Sequence, residues 1–229
     1  MLILTSMREI DNPKLGKIDG LERSYANYYS TLGLTLLPVP NLGHSIVTLM
    51  EKVHFDGVLL TGGNSVSPQR YGSTSDMDDQ SNERDTTEYA MLDYAIDRRI
   101  PVLGICRGTQ LINVYFEGTL TDGLNTPEYK VKHVANDHEI IINDDELSKK
   151  LGESRQIVNS YHNQGIKASG LASSLRSFAI AEDGTIEGVY HPEHNLAGIM
   201  WHPERKSSST RLDHLVINLF RQHDLYWSR

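Results

Sequence analysis

Cysteine is nearly missing from this chain: Cys106 is the only one in 229 residues. A lone thiol closes no internal disulfide, so the fold gains no covalent staple, needs no oxidising compartment and cannot be a zinc ribbon. Basic residues are also few. Lys and Arg number 22 against 30 Asp and Glu, a formal charge of −8, and no surplus of cations exists to neutralise a phosphate backbone. Long apolar runs are lacking as well: the start, MLILTSMREIDNP, meets a polar residue at Thr5, far short of a signal core or a membrane span. Repeats, low-complexity tracts and long linkers are absent too. These absences predict one domain over residues 1–229 in the cytoplasm, with neither nucleic acid nor membrane as partner.

What is present alternates short apolar runs with helical patterns, the signature of a parallel sheet with crossover helices. The spacing predicts strands at Met1–Thr5, Leu34–Val39, Gly57–Thr61 and Val102–Ile105. Helices are expected at about 21–32, 45–53, 86–99 and 109–115. From His133 onward the pattern changes to closely spaced strands at 139–142, 156–159, 176–181, 185–191 and 196–201, with Asp183-Gly184 as a hairpin turn. A last helix at about 208–225 places Leu212, Leu215, Val216, Leu219 and Phe220 on one face. The expected fold is therefore α/β: a three-layer arrangement with a central, mostly parallel sheet flanked by helices and extended by antiparallel strands.

Cys106 stands in Gly104-Ile105-Cys106-Arg107-Gly108, between a buried strand and a helix. A sharp strand-to-helix turn lifts the residue at its apex out of the sheet, and small residues two positions either side leave room for the strained backbone. The helix N-terminus favours thiolate over thiol. A buried Cys is otherwise most often a small core residue; here the two glycines and the turn argue for a nucleophile. A thiolate needs a partner that holds and returns a proton. Of ten His, His202 is distinguished by following a strand, preceding Pro203, and having Glu204 two residues on, on the same side of an extended chain. Cys106, His202 and Glu204 are the expected triad.

Three blocks, LGICRGTQLINVYFEGTL, VNSYHNQGI and GIMWHPER, together with LLTGGNSVSPQRYG and Arg84-Asp85-Thr-Thr-Glu88, resemble class I glutamine amidotransferase domains with a flavodoxin-like sheet, most closely the γ-glutamyl hydrolase (peptidase C26) branch. The resemblance implies a Cys106 nucleophile that attacks a γ-glutamyl amide carbonyl, with His202 and Glu204 as its partners. It implies an oxyanion hole from the backbone N–H groups of Gly63 and Arg107, and substrate contacts from Gln110, Ser160, Tyr161 and His162. Relatives often carry Asp at the place of Ser65, Gly at that of Glu117, and His-His-Gln where this chain reads His162-Asn163-Gln164.

The activity so implied is cleavage of a γ-glutamyl amide bond through a γ-glutamyl thioester, on a small γ-glutamyl amine or γ-glutamyl-nucleotide amidate, with no cofactor. Two alternatives stand beside it: a glutaminase subunit that passes ammonia to a separate synthase, and a non-enzymatic cysteine sensor on the same fold. The partner is a small γ-glutamyl substrate, with a homodimer left open and a synthase partner required by the first alternative. No metal is expected: His191 and His194 share a turn, and zinc needs three or four converging ligands. His133 and His138 are expected at the surface. The acidic stretches Asp76–Asp79 and Asn143–Glu146 read as solvated loop, with Asp144 or Asp145 as a helix cap. Arg84, Asp85 and Arg107 are expected either to meet a charged substrate tail or to form a structural ion pair.

Overall fold

The computed structural model describes residues 1–75, 77, 79–124, 126 and 131–225. In chain order, β1 (Leu2–Ser6) leads into a hairpin of β2 (Arg8–Asn12) and β3 (Gly16–Gly20), then α1 (Arg23–Thr31), β4 (Thr35–Val39) and α2 (Ile46–Met50). There follow β5 (Gly57–Leu60), α3 (Asn82–Asp97), β6 (Val102–Ile105) and α4 (Arg107–Tyr115). The remainder comprises β7 (Val134–Ile142), α5 (Asp145–Leu151), β8 (Arg155–Tyr161), β9 (Ile166–Lys167), β10 (Arg176–Ala181), β11 (Thr185–Tyr190), β12 (Leu196–Ile199) and α6 (Thr210–Arg221).

Ten strands make one sheet in the order β4-β1-β5-β6-β12-β11-β10-β7-β8, with β9 paired to β11. The half from β4 to β12 is parallel; the rest is antiparallel. Every residue of β5, β6 and β12 is buried, which is why these strands read as unbroken apolar runs rather than alternating ones. Alternation persists as a division between two cores. Ile3, Leu59, Leu103 and Ile105 pack with Tyr25 and Tyr29 of α1 and Val216 and Phe220 of α6. Leu4, Val58, Leu60 and Val102 pack on the opposite face with Met50 of α2, Met91 of α3 and Ile112 of α4. The three-layer arrangement is as expected.

Several elements differ from their expected extents. Helix α3 begins at Asn82, a turn early, because the buried Ser81 hydroxyl caps it by accepting from the Arg84 amide at 3.2 Å. Strand β7 begins at Val134, not 139, and pairs with β8 through its exposed polar stretch. The β2–β3 hairpin, absent from the sequence reading, is closed by Asn12, whose side-chain oxygen accepts from the amides of Lys14 and Leu15 at 2.9 and 3.0 Å. Asp144 caps α5 through the Leu147 amide at 2.9 Å, one of the two expected choices. No helix among the described residues is long and apolar enough to cross a membrane.

Candidate active site

β6 lies between β5 and β12, so the turn at its end emerges at the middle of the sheet. Cys106 occupies that turn with φ 51° and ψ −105°, a left-handed conformation costly to a residue with a side chain and found where the surroundings over-determine it. They do so here: the Cys106 amide donates to the Ile199 carbonyl of β12 at 2.7 Å, and its carbonyl accepts from the Thr109 and Gln110 amides at 3.0 and 3.1 Å. The flanking glycines are steric requirements. A Cβ on Gly108 would lie 2.2 Å from the Leu60 carbonyl oxygen, and one on Gly104 would meet the Gly108 and Thr109 backbone at 2.8 Å. Just past the end of the same helix, Glu117 is held at φ 68°, the left-handed conformation that glycine takes without strain. Glu117→Gly is expected to stabilise the fold by about 0.5–1 kcal/mol, read as a raised urea midpoint, since it removes left-handed strain of about 1–2 kcal/mol at some cost in unfolded-chain entropy.

His202 and Glu204 follow β12 and reach the same point. His202 Nδ1 and Glu204 Oε1 are 2.5 Å apart, and both residues are buried. The ring approaches Gly62 so closely that a Cβ there would lie 2.9 Å from His202 Cε1 and 3.6 Å from the Cys106 Cβ. Asn159, on β8, fixes the His202 backbone at two points, accepting from its amide at 2.8 Å and donating to its carbonyl at 2.9 Å. Burial works against a charge on His202, but Cys106, by its negative charge and a hydrogen bond, and then Glu204 outweigh it and raise the imidazole to about 9. The group is therefore held as imidazolium at neutral pH. Ring NMR is expected to show a His202 titration near pH 9 that moves down in Cys106→Ala, which removes the largest favourable contribution. Stabilisation from this raised pKa is complete below the unfolded value near 6.5 and is lost as pH rises to about 9.

Gly63 and Arg107 both line this cleft, and neither amide donates to another group among the described residues. Gly63 is at φ 81°, and the preceding Gly62 amide is already taken by the Tyr25 hydroxyl at 2.9 Å. Behind them sits a fully buried ion cluster. Arg84 donates to the carbonyls of Thr61, Gly62 and Gly63 at 2.7, 3.1 and 2.5 Å, and pairs with Glu88 at 2.8 Å. Arg107 pairs with Glu88 and, at 2.5 Å, with Asp85. Burial would raise the Glu88 carboxyl, but Arg107 and Arg84 overcome it and hold it below its usual value. One cluster therefore fixes both amides: Arg84 grips the Gly62-Gly63 turn and the Arg107 side chain anchors its own backbone. Of the two roles expected for Arg84, Asp85 and Arg107 side chains, the structural ion pair is the one observed.

The cleft has a volume of about 330 Å³. Of the expected substrate contacts, Gln110, Tyr161 and His162 line it, and Tyr161 stands edge-on to the His202 ring at 5.5 Å. Ser160 does not: it is fully buried and its hydroxyl donates to the His133 carbonyl at 2.6 Å, because its side chain alternates to the face opposite Tyr161. His162 touches the cleft, yet its Nδ1 is bonded to the Gln164 carbonyl at 3.0 Å and its Nε2 points at Glu187, 3.5 Å away. Its ring nitrogens are thus turned inward. His133 and His138 are buried, not at the surface, and gather around the same Glu187. The sequence reading missed Arg8, Asp79, Asp122 and Arg205 of the rim. Arg205 stacks over Tyr161 at 4.3 Å, and Arg8 belongs to the unforeseen hairpin. Asp76 and Asp78 of the acidic stretch lie outside the described residues. In the His191–His194 turn, His191 Nδ1 accepts from the amides of Glu193 and His194 at 3.0 and 3.1 Å, a structural use of that nitrogen.

The mostly parallel sheet flanked by helices, with its antiparallel extension, is the class I glutamine amidotransferase-like fold: a glutamine amidotransferase from Thermotoga maritima superimposes over 96% of this chain and 83% of its own with a TM-score of 0.59 at 13% identity. The Peptidase C26 family model matches residues 11–204, and the chain belongs to that family. Among its relatives, a gamma-glutamyl-gamma-aminobutyrate hydrolase of Escherichia coli O157:H7 is 33% identical over 219 residues, covering 87% of this chain and 84% of the relative. Protein NtpR of Enterococcus hirae is 35% identical over 179 residues, 73% of this chain and 74% of its own.

Proposed function

We propose that this protein is a cysteine-dependent hydrolase of small γ-glutamyl amines. The observation that carries the reading is the convergence of Cys106, the His202–Glu204 pair and two undonated backbone amides, Gly63 and Arg107, on one cleft. The Cys106 thiolate attacks the γ-carbonyl carbon, and the electron pair moves to an oxygen held by the two amides; losing one such donor typically costs about 3–4 kcal/mol in the transition state. The C–N bond then breaks, with His202 giving its proton to the departing nitrogen and leaving a γ-glutamyl thioester on Cys106. Water, deprotonated by His202, adds to the thioester; the C–S bond breaks and glutamate leaves. Glu204 keeps the ring oriented and stabilises its charged form throughout.

The family supports the reaction type, and the relative named for γ-glutamyl-γ-aminobutyrate supports an amine as leaving group. The rim fits such a substrate: Arg8 and Arg205 offer guanidinium groups to carboxylates. The test is a panel of glutamine, γ-glutamyl amines with and without a distal carboxylate, short polyglutamates and a γ-glutamyl phosphoramidate, assayed for glutamate release. A γ-glutamyl amine is expected to give the highest kcat/KM. A preference for glutamine, raised by an added synthase, would replace this reading with that of an ammonia-supplying subunit.

A further inference from the structure

We infer that His133, His162 and Glu187, with His138 beside them, form a buried site for one divalent first-row transition-metal ion, zinc by the chemistry of its ligands, beneath the floor of the substrate cleft. The four residues come from separate segments: the approach to β7, β7 itself, the residue after β8, and β11. All are buried, His133 and Glu187 completely. Glu187 Oε1 lies 3.4 Å from His133 Nδ1, 3.4 Å from His138 Nε2 and 3.5 Å from His162 Nε2. These separations are long for hydrogen bonds, and none of the four atoms is satisfied by one among the described residues. Donors about 2.0–2.1 Å from a tetrahedral ion stand about 3.3–3.4 Å apart, close to the separations of Glu187 from His133 and from His162. The ligand atoms of His133, His162 and Glu187 all lie within 4.8 Å of one another.

The outer partners argue the same way. His133 turns its other nitrogen, Nε2, to the Asp183 carboxylate at 3.1 Å, and His162 turns Nδ1 to the Gln164 carbonyl at 3.0 Å. Each contact leaves the nitrogen facing Glu187 able to carry a lone pair, the arrangement that metal-bound histidines adopt. Ring nitrogens gathered around a buried carboxylate without hydrogen bonds to it call for a cation between them, a metal ion or a proton. Two imidazoles and one carboxylate suit zinc better than calcium or magnesium, and three protein donors leave a fourth position for water. The ion would tie the antiparallel half of the sheet to the segment that carries Tyr161 and His162 into the cleft.

The test is elemental analysis of the full-length protein after gel filtration. About one zinc per chain is expected, unchanged in His191→Ala. Asp183→Asn, which leaves every ligand in place, is expected to lower zinc affinity by about 10–100-fold, and Glu187→Gln to lower it further. Should the variants fail to fold, wild-type protein stripped by chelator is refolded with Co²⁺. A visible absorption band saturating at one equivalent and a raised unfolding temperature support the site. Less than a tenth of an equivalent of any such metal as purified, with neither a cobalt band nor a thermal shift, overturns it and leaves protons shared among the imidazoles as the occupant.

Discussion

Cys106→Ala is expected to lower the release of glutamate from every γ-glutamyl amide by roughly 10⁴-fold or more, because members of a nucleophile–base unit fail together when one is removed. The loss is chemical, not structural. Alanine keeps the Cβ, so the backbone at φ 51° bears the same strain, and the Gly104 and Gly108 contacts are untouched. Denaturation midpoints and binding of a non-hydrolysed substrate analogue should therefore stay near wild type while turnover disappears. Mass spectrometry of the wild-type protein quenched during turnover should find a γ-glutamyl adduct on Cys106, absent from the variant. Turnover that survives the substitution would remove the thioester mechanism altogether.

The second large effect concerns stability. Glu88 touches both Arg84 and Arg107, and all three side chains are fully or almost fully buried. Replacing Glu88 with Ala leaves the buried Arg84 and Arg107 guanidinium groups with Asp85 as the one remaining carboxylate of the cluster, and Asp85 is shared with Arg70 at 3.3 Å. Breaking a buried pair in this way costs about 3–5 kcal/mol, a large part of the stability of an ordinary domain. Urea denaturation should show a markedly lower midpoint with a similar slope. Glu88→Gln keeps the hydrogen-bonding shape but not the charge and should fall between. If the cluster also fixes the oxyanion amides, folded Glu88→Gln should lose kcat more than it changes KM, since Arg84 then holds the Gly62-Gly63 turn less firmly.

How much could be read from residues alone depended on how local each signal was. The elbow is spelled within five residues, because Gly104 and Gly108 are demanded by contacts of their own turn and of the adjoining strand. The His202–Glu204 contact follows from two positions in extended chain. The parallel strands were legible because burial on both faces leaves apolar runs. The histidine cluster was not: His133, His162 and Glu187 are joined only by the folding of β7, β8 and β11, and no spacing announces them. Ser160, expected at the cleft through the family resemblance of its block, turns its side chain to the other side of the strand, where a shift of one residue reverses the face. The β2–β3 hairpin escaped notice because its strands, Arg-Glu-Ile-Asp-Asn and Gly-Lys-Ile-Asp-Gly, are polar and largely exposed.

That hairpin pairs only with itself and stands apart from the ten-stranded sheet. Arg8, at its base, packs its guanidinium against Gly63 and borders the cleft, while Cys106, His202 and Glu204 are held by the central strands. The scaffold thus separates what reacts from what is chosen. Exchanging residues 8–20 would change the rim of the cleft and the contacts of Arg8 with Gly63 and of Glu9 with Asn64, while the backbone bonds that hold the Cys106 turn stay in place.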